Sequence, residues 1–107
     1  MTSQYSTHIR DLLHNLRDEL IAIGLWEQSP PDKEKLLSTT PFAMDTLAPH
    51  QWLQWIFIPK MFVAIDNRSV PKGFAVAPYF SECWKDNRDM SAVLVVLEEI
   101  DGASSSC

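Results

Sequence analysis

The stretch TPFAMDTLAPHQWLQWIFIPKMF, Thr40 to Phe62, carries Pro41, Pro49 and Pro59, the tryptophans Trp52 and Trp55, and only Asp45 and Lys60 as fixed charges. Its reading decides the fold. Pro49 suits the first turn of a helix, where a missing N–H has no partner to lose. Thr46 or Asp45 is placed to offer that turn a capping oxygen. A helix is therefore expected from about Leu47 to Asn67. Pro59 falls inside it, removes the bond to the Trp55 carbonyl and crowds that turn, so a kink is expected there.

This helix changes its polar side at the proline. His50, Gln51 and Gln54 share one side, and the same stripe continues as Ile58, Met61, Phe62 and Ile65. Beyond Pro59 the polar residues Lys60 and Asn67 lie almost opposite. Trp52, Leu53, Trp55, Ile56 and Phe57 leave little of the middle for water. A helix apolar around most of its circumference belongs among other helices.

The flanking segments supply those helices. Ile9, Leu12, Leu13, Leu16, Leu20 and Ile23 recur at helical spacing, which predicts a first helix over residues 5–27. Gly24 and Ser29-Pro30-Pro31 are its stop signals. Residues 28–46 form a connector pinned by Phe42 and Met44, with one short turn near Lys33 to Leu37. A third helix is expected from about Ala75, with Pro78 in its first turn. Val76, Tyr79, Phe80, Cys83 and Trp84 form its stripe. Asn87 is the expected cap of a fourth helix. SAVLVVLEEI, residues 91–100, is β-branched, yet Met90, Val93, Leu94, Leu97 and Ile100 keep helical spacing and no second strand offers a partner. The expected fold class is all-α: a four-helix bundle with a proline-kinked central second helix. The 107 residues are expected to form a single helical domain, with 101–107 as a disordered tail.

Bulk properties narrow the function. The net charge is −5 and nine basic residues are scattered, the densest being Lys33 and Lys35 around Glu34. Such a surface repels a phosphate backbone, so direct nucleic-acid binding is not expected. Cys83 and Cys107 form no Cys-x-x-Cys and read as reduced thiols of a cytoplasmic protein. Neither a signal peptide nor a membrane span is expected.

The run STTPFAMDTLAPHQWLQWIFIPKM, residues 38–61, followed by GFAVAPYF, residues 73–80, resembles the YqcC-like family of small bacterial proteins. The similarity in pattern covers most of the chain, and Lys60 occupies the family's basic position after Ile-Pro. The resemblance implies an all-α bundle of about this size. It implies at most an association with a tRNA pseudouridine synthase, to which members are often linked by name. It brings no catalytic residues to carry over.

The residues do not supply that enzyme's chemistry. A pseudouridine synthase needs an aspartate nucleophile in a cleft, basic residues for RNA and a larger sheet-based domain. The sequence around Asp45, Asp66 and Asp89 does not resemble an Arg-Leu-Asp catalytic loop. Asp45 stands out among Phe42, Met44 and Leu47, where burial would raise its pKa, although a cap or turn role fits the position better. His8, His14 and His50 lack metal-ligand spacing, and no phosphate loop or nucleophile elbow is present. No cofactor or metal is expected. Cys83 beside Trp84 reads as a packed thiol.

Trp52 and Trp55, three apart, splay around the helix, so both do not point into the core. Their ring N–H groups favour a partly wet location. The candidate interaction patch is Phe42, Met44, Asp45, Gln51, Trp52, Trp55, Lys60 and Tyr79. Three functions compete: a non-enzymatic protein-interaction module, self-association into a homodimer included; an accessory to tRNA pseudouridine modification; and a small-ligand binder or enzyme with a pocket near Asp45.

Overall fold

The computed structural model describes residues 4–105. Helix α1 spans Gln4–Ala22 and buries Ile9, Leu12, Leu13, Leu16 and Leu20, the stripe its spacing predicts. It stops five residues short of the expected end. Gly24 takes φ +79°, its N–H donates to the Ile21 carbonyl and the Leu25 N–H to the Leu20 carbonyl, both at 3.0 Å. This left-handed terminus satisfies the last carbonyls, so the glycine ends the helix before the downstream prolines act.

The connector holds the one-turn helix α2, Lys33–Leu36, and a 3-10 turn, Pro41–Ala43. It is packed, as its large apolar groups suggested: Ala43 and Leu47 are buried. Phe42 and Ala43 both adopt the left-handed region, at φ 58° and 48°. Met44 does not pin the connector; it is 54% exposed.

Helix α3 runs over residues 49–66 as three continuous pieces, Pro49–Trp52, a π-helical turn Leu53–Phe57, and Ile58–Asp66. The Ile58 N–H donates to the Leu53 carbonyl, five residues back. The irregularity expected at Pro59 is therefore a widened turn immediately before it, which relieves the crowding between the proline ring and the preceding carbonyls. Neither Asp45 nor Thr46 caps this helix. The Ala48 N–H instead donates to Gln51 Oε1 at 2.8 Å. One face of α3 buries Leu53, Gln54, Phe57, Ile58, Met61 and Ile65, while Val63 is 57% exposed. Trp52, Trp55 and Ile56 are half-buried, so the helix is not enclosed on every side.

Helix α4, Ala77–Cys83, carries Pro78 in its first turn. Helix α5, Ser91–Ser105, follows a 3-10 turn, Arg88–Met90. Asn87 caps that turn, its Oδ1 accepting the Asp89 N–H at 3.1 Å. The β-branched run is thus helical, with Met90, Val93, Leu97 and Ile100 buried. The helix extends beyond the expected start of a frayed tail. Ser104 is buried, accepting the Gly73 N–H at its carbonyl (3.0 Å) and the Phe74 N–H at Oγ (2.9 Å). Asp101 accepts the N–H groups of Val76 and Ala77 at 2.9 and 2.7 Å, the free donors at the start of α4. Cys107 lies outside the described residues. Cys83 is exposed rather than packed, because the inner face of α4 is taken by Phe80 and the flank by Trp84.

Among the described residues there is no strand. The chain is an all-α bundle whose most extensive helix packing is α1 against α5, with α4 on α5 and α3 on α1. Ile9, Leu13, Leu16, Leu53, Phe80 and Leu97 mark its solvent-free centre.

Candidate binding groove

The polar side of α3 ahead of Pro59 meets Glu27, which lies just beyond the turn that ends α1. Gln54, only 5% exposed, pairs both amide atoms with the Glu27 backbone: Oε1 accepts its N–H and Nε2 donates to its carbonyl, each at 2.8 Å. A buried primary amide requires such satisfaction on both atoms. The Glu27 carboxylate accepts Trp55 Nε1–H at 2.9 Å and Gln51 Nε2 at 3.2 Å, with His50 Nε2 at 4.0 Å. Trp55 is thereby fixed by its ring N–H, and its indole makes no ring-to-ring contact among the described residues.

On its outer face, α3 forms one wall of an open groove of about 710 Å³. Trp52, Ile56, Lys60 and Ala64, four residues apart in turn, line it together with Trp55 and Met61. The connector lines it through Leu36, Ser38, Thr40 and Ala43, and the segment after α3 through Ser69 and Pro71. Lys60 is exposed and is the groove's sole charged lining residue, and no carboxylate pairs with it among the described residues.

The expected patch divides into three groups. Trp52, Trp55 and Lys60 line the groove together. Phe42 and Tyr79 lie on the far side of Trp52: the Phe42 ring stacks on Tyr79 at 4.1 Å and meets Trp52 at 4.8 Å. These contacts offset the left-handed backbone at Phe42, a conformation disfavoured by about 1 kcal/mol for a residue bearing a Cβ. Gln51 is turned away to Glu27, while Met44 and Asp45 are exposed and do not line the groove.

Asp45 is exposed, which excludes burial among its apolar neighbours and leaves it a turn side chain of the connector. The Ser38 hydroxyl donates to it at 2.5 Å, and this bond holds its pKa below the ordinary carboxylate range rather than raising it. Thr46 Oγ1 donates to the Lys35 carbonyl at 2.8 Å, so both candidate caps are spent tying the connector together. Burial pushes the Tyr79 pKa up, with the Cys83 thiol one helical turn away adding to it. Among the described residues no cluster of His, Cys, Asp or Glu has the makings of a metal site.

Glu27, Asp101 and Ser104 were not singled out in the sequence. The one available signal was the pairing of Gln51 and Gln54 on a helix otherwise too apolar for water, which demands a polar partner from elsewhere.

The comparisons place these features in a family. Residues 8–103 match the family DUF446, described as tRNA pseudouridine synthase C. An uncharacterized protein of Haemophilus influenzae is 34% identical over 104 residues, covering 94% of each chain. The uncharacterized protein YqcC of Escherichia coli is 40% identical over 78 residues, 71% of this chain and 72% of its own. A tRNA pseudouridine synthase C of Pectobacterium carotovorum is 32% identical over 78 residues, 72% of this chain but 21% of that protein. The solution NMR structure of E. coli YqcC superposes with a TM-score of 0.85 at 34% identity, covering 98% of this chain and 90% of that one. With the match spanning nearly the whole sequence and the bundle reproduced in a solved relative, the chain belongs to the YqcC-like family, DUF446.

Proposed function

We propose that the chain is a non-enzymatic cytoplasmic helical module that binds another protein through the groove between α3 and the connector. The observation that carries this reading is the groove itself: open, about 710 Å³, and walled by two half-buried tryptophans. Tryptophans held half-wet at a concave surface are typical anchors for a partner. A small-ligand or enzymatic pocket near Asp45 has weaker support, because that carboxyl is exposed and outside the groove.

A second reading makes the partner an RNA-modifying enzyme. In the Pectobacterium protein named tRNA pseudouridine synthase C, the matching segment is 21% of the chain. The remaining four-fifths offers ample room for the named activity, with this module as a companion within one polypeptide. A freestanding module would then act as an accessory to tRNA pseudouridine modification by contacting the synthase, not the RNA.

Titration calorimetry with purified tRNA pseudouridine synthase C tests both readings. The expected result is micromolar or tighter binding that Trp55→Ala weakens at least about tenfold. Binding that is indifferent to Trp55 removes the groove reading. Absence of binding to the synthase removes the accessory reading. Sedimentation showing a stable dimer that buries Trp55 identifies a second copy as the partner instead.

A further inference from the structure

We propose that the groove selects a peptide segment in which an acidic side chain lies beside large apolar ones, with Lys60 as the reader of the acid. This rests on the interaction-module reading and supplies the chemistry of the partner.

Lys60 is the only charged residue lining the groove, and it has no carboxylate partner among the described residues. The two carboxylates that reach lining residues are already engaged: Glu27 accepts Trp55 Nε1–H at 2.9 Å and Asp45 accepts the Ser38 hydroxyl at 2.5 Å. A protein of net charge −5 thus leaves a cation, Lys60, as the one charged residue lining an apolar cleft. At physiological salt, charges more than about 8 Å away are largely screened, so Lys60 is felt at contact distance despite the acidic balance of the whole surface.

The apolar part of the occupant follows from the walls. Trp55 is a fixed platform, its ring N–H held by Glu27 at 2.9 Å. Ile56, Met61, Ala64 and Leu36 complete an aliphatic floor and rim. A single lining cation within such walls suits one carboxylate flanked by apolar side chains. A polynucleotide would need several phosphate contacts and finds one lysine within the groove.

Selection from a phage-displayed library of random short peptides, read by sequencing, is the test. The wild-type protein is expected to enrich sequences with Asp or Glu within a helical turn of Trp, Phe or Leu. The strongest peptide should shift the Trp55 indole N–H resonance. Lys60→Glu should invert the preference, binding the acidic peptide about tenfold more weakly and gaining the Lys-substituted peptide. Enrichment of apolar peptides with no charge preference, or a preference that survives Lys60→Glu, overturns the proposal while leaving the interaction module standing. Failure to enrich any peptide at the groove overturns both. Tighter binding of oligouridylate than of any selected peptide, falling steeply with salt, overturns the proposal in favour of RNA.

Discussion

Two helix ends use the same left-handed turn with different residues. Gly24 ends α1, and Arg68, at φ 57°, ends α3, with its N–H on the Ile65 carbonyl and the Ser69 N–H on the Ala64 carbonyl. Glycine enters this conformation freely and arginine does not. Gly24→Ala should therefore cost about 1 kcal/mol. A Cβ there meets nothing within 4 Å, so the cost is purely conformational. Arg68→Gly should stabilise by about 0.5–1 kcal/mol. Urea unfolding of both variants reads the opposite signs directly. The Asp45–Ser38 tie has a pH dependence of defined sign. Because the carboxyl is held below its ordinary range, the tie is fully made above that range and is lost as pH falls through the depressed value. Ser38→Ala should raise the Asp45 pKa in an NMR titration. With the side chain exposed, the response should appear in connector resonances rather than in the melting temperature.

Among the elements, α4 depends most on distant help. A seven-residue helix is too short to persist alone. Its first N–H donors are taken by Asp101 from the far end of the sequence, 24 and 25 residues away. Asp101→Ala should destabilise the protein by about 2 kcal/mol, two charge-assisted bonds at roughly 1 each. Asp101→Asn should retain part of this. Termination after Gly102 should also destabilise, since it removes Ser104 and its two bonds to the 73–74 backbone. A tail that merely frayed would be dispensable. This contrast shows where the sequence was readable. The stripes of α1 and α5 are written in local spacing, so both helices were legible even through the β-branched run of α5. Gly24 was equally visible as a stop, and only its precedence over the downstream prolines was missed. The caps supplied by Gln51 and Asp101 and the loop tie made by Ser104 were not legible, because residues remote in sequence or unremarkable in type provide them. The left-handed Phe42 was likewise hidden: no glycine marks it, and ring contacts with Tyr79, Trp52 and Phe80 hold it. Of the expected patch, the part legible from helical spacing, Trp52, Trp55 and Lys60, is the part the groove brings together. The residues from the connector scattered, because their placement follows from that unmarked turn.

At the scale of the molecule, the acidic balance and the single lysine inside the groove argue against RNA as a direct ligand. Filter binding of the chain alone to tRNA at physiological salt should show no retention, and retention would reverse the reading of the surface charge. The principal packing joins α1 to α5, the first and last helices described, with the 73–77 loop fastened to the final turns of α5. Such a topology holds back a nascent polypeptide's principal helix packing until the last helix is made. Until residue 104 clears the ribosomal exit tunnel, the leucine stripe near the amino terminus lacks its principal counterpart, and a stalled ribosome would display it to chaperones and proteases.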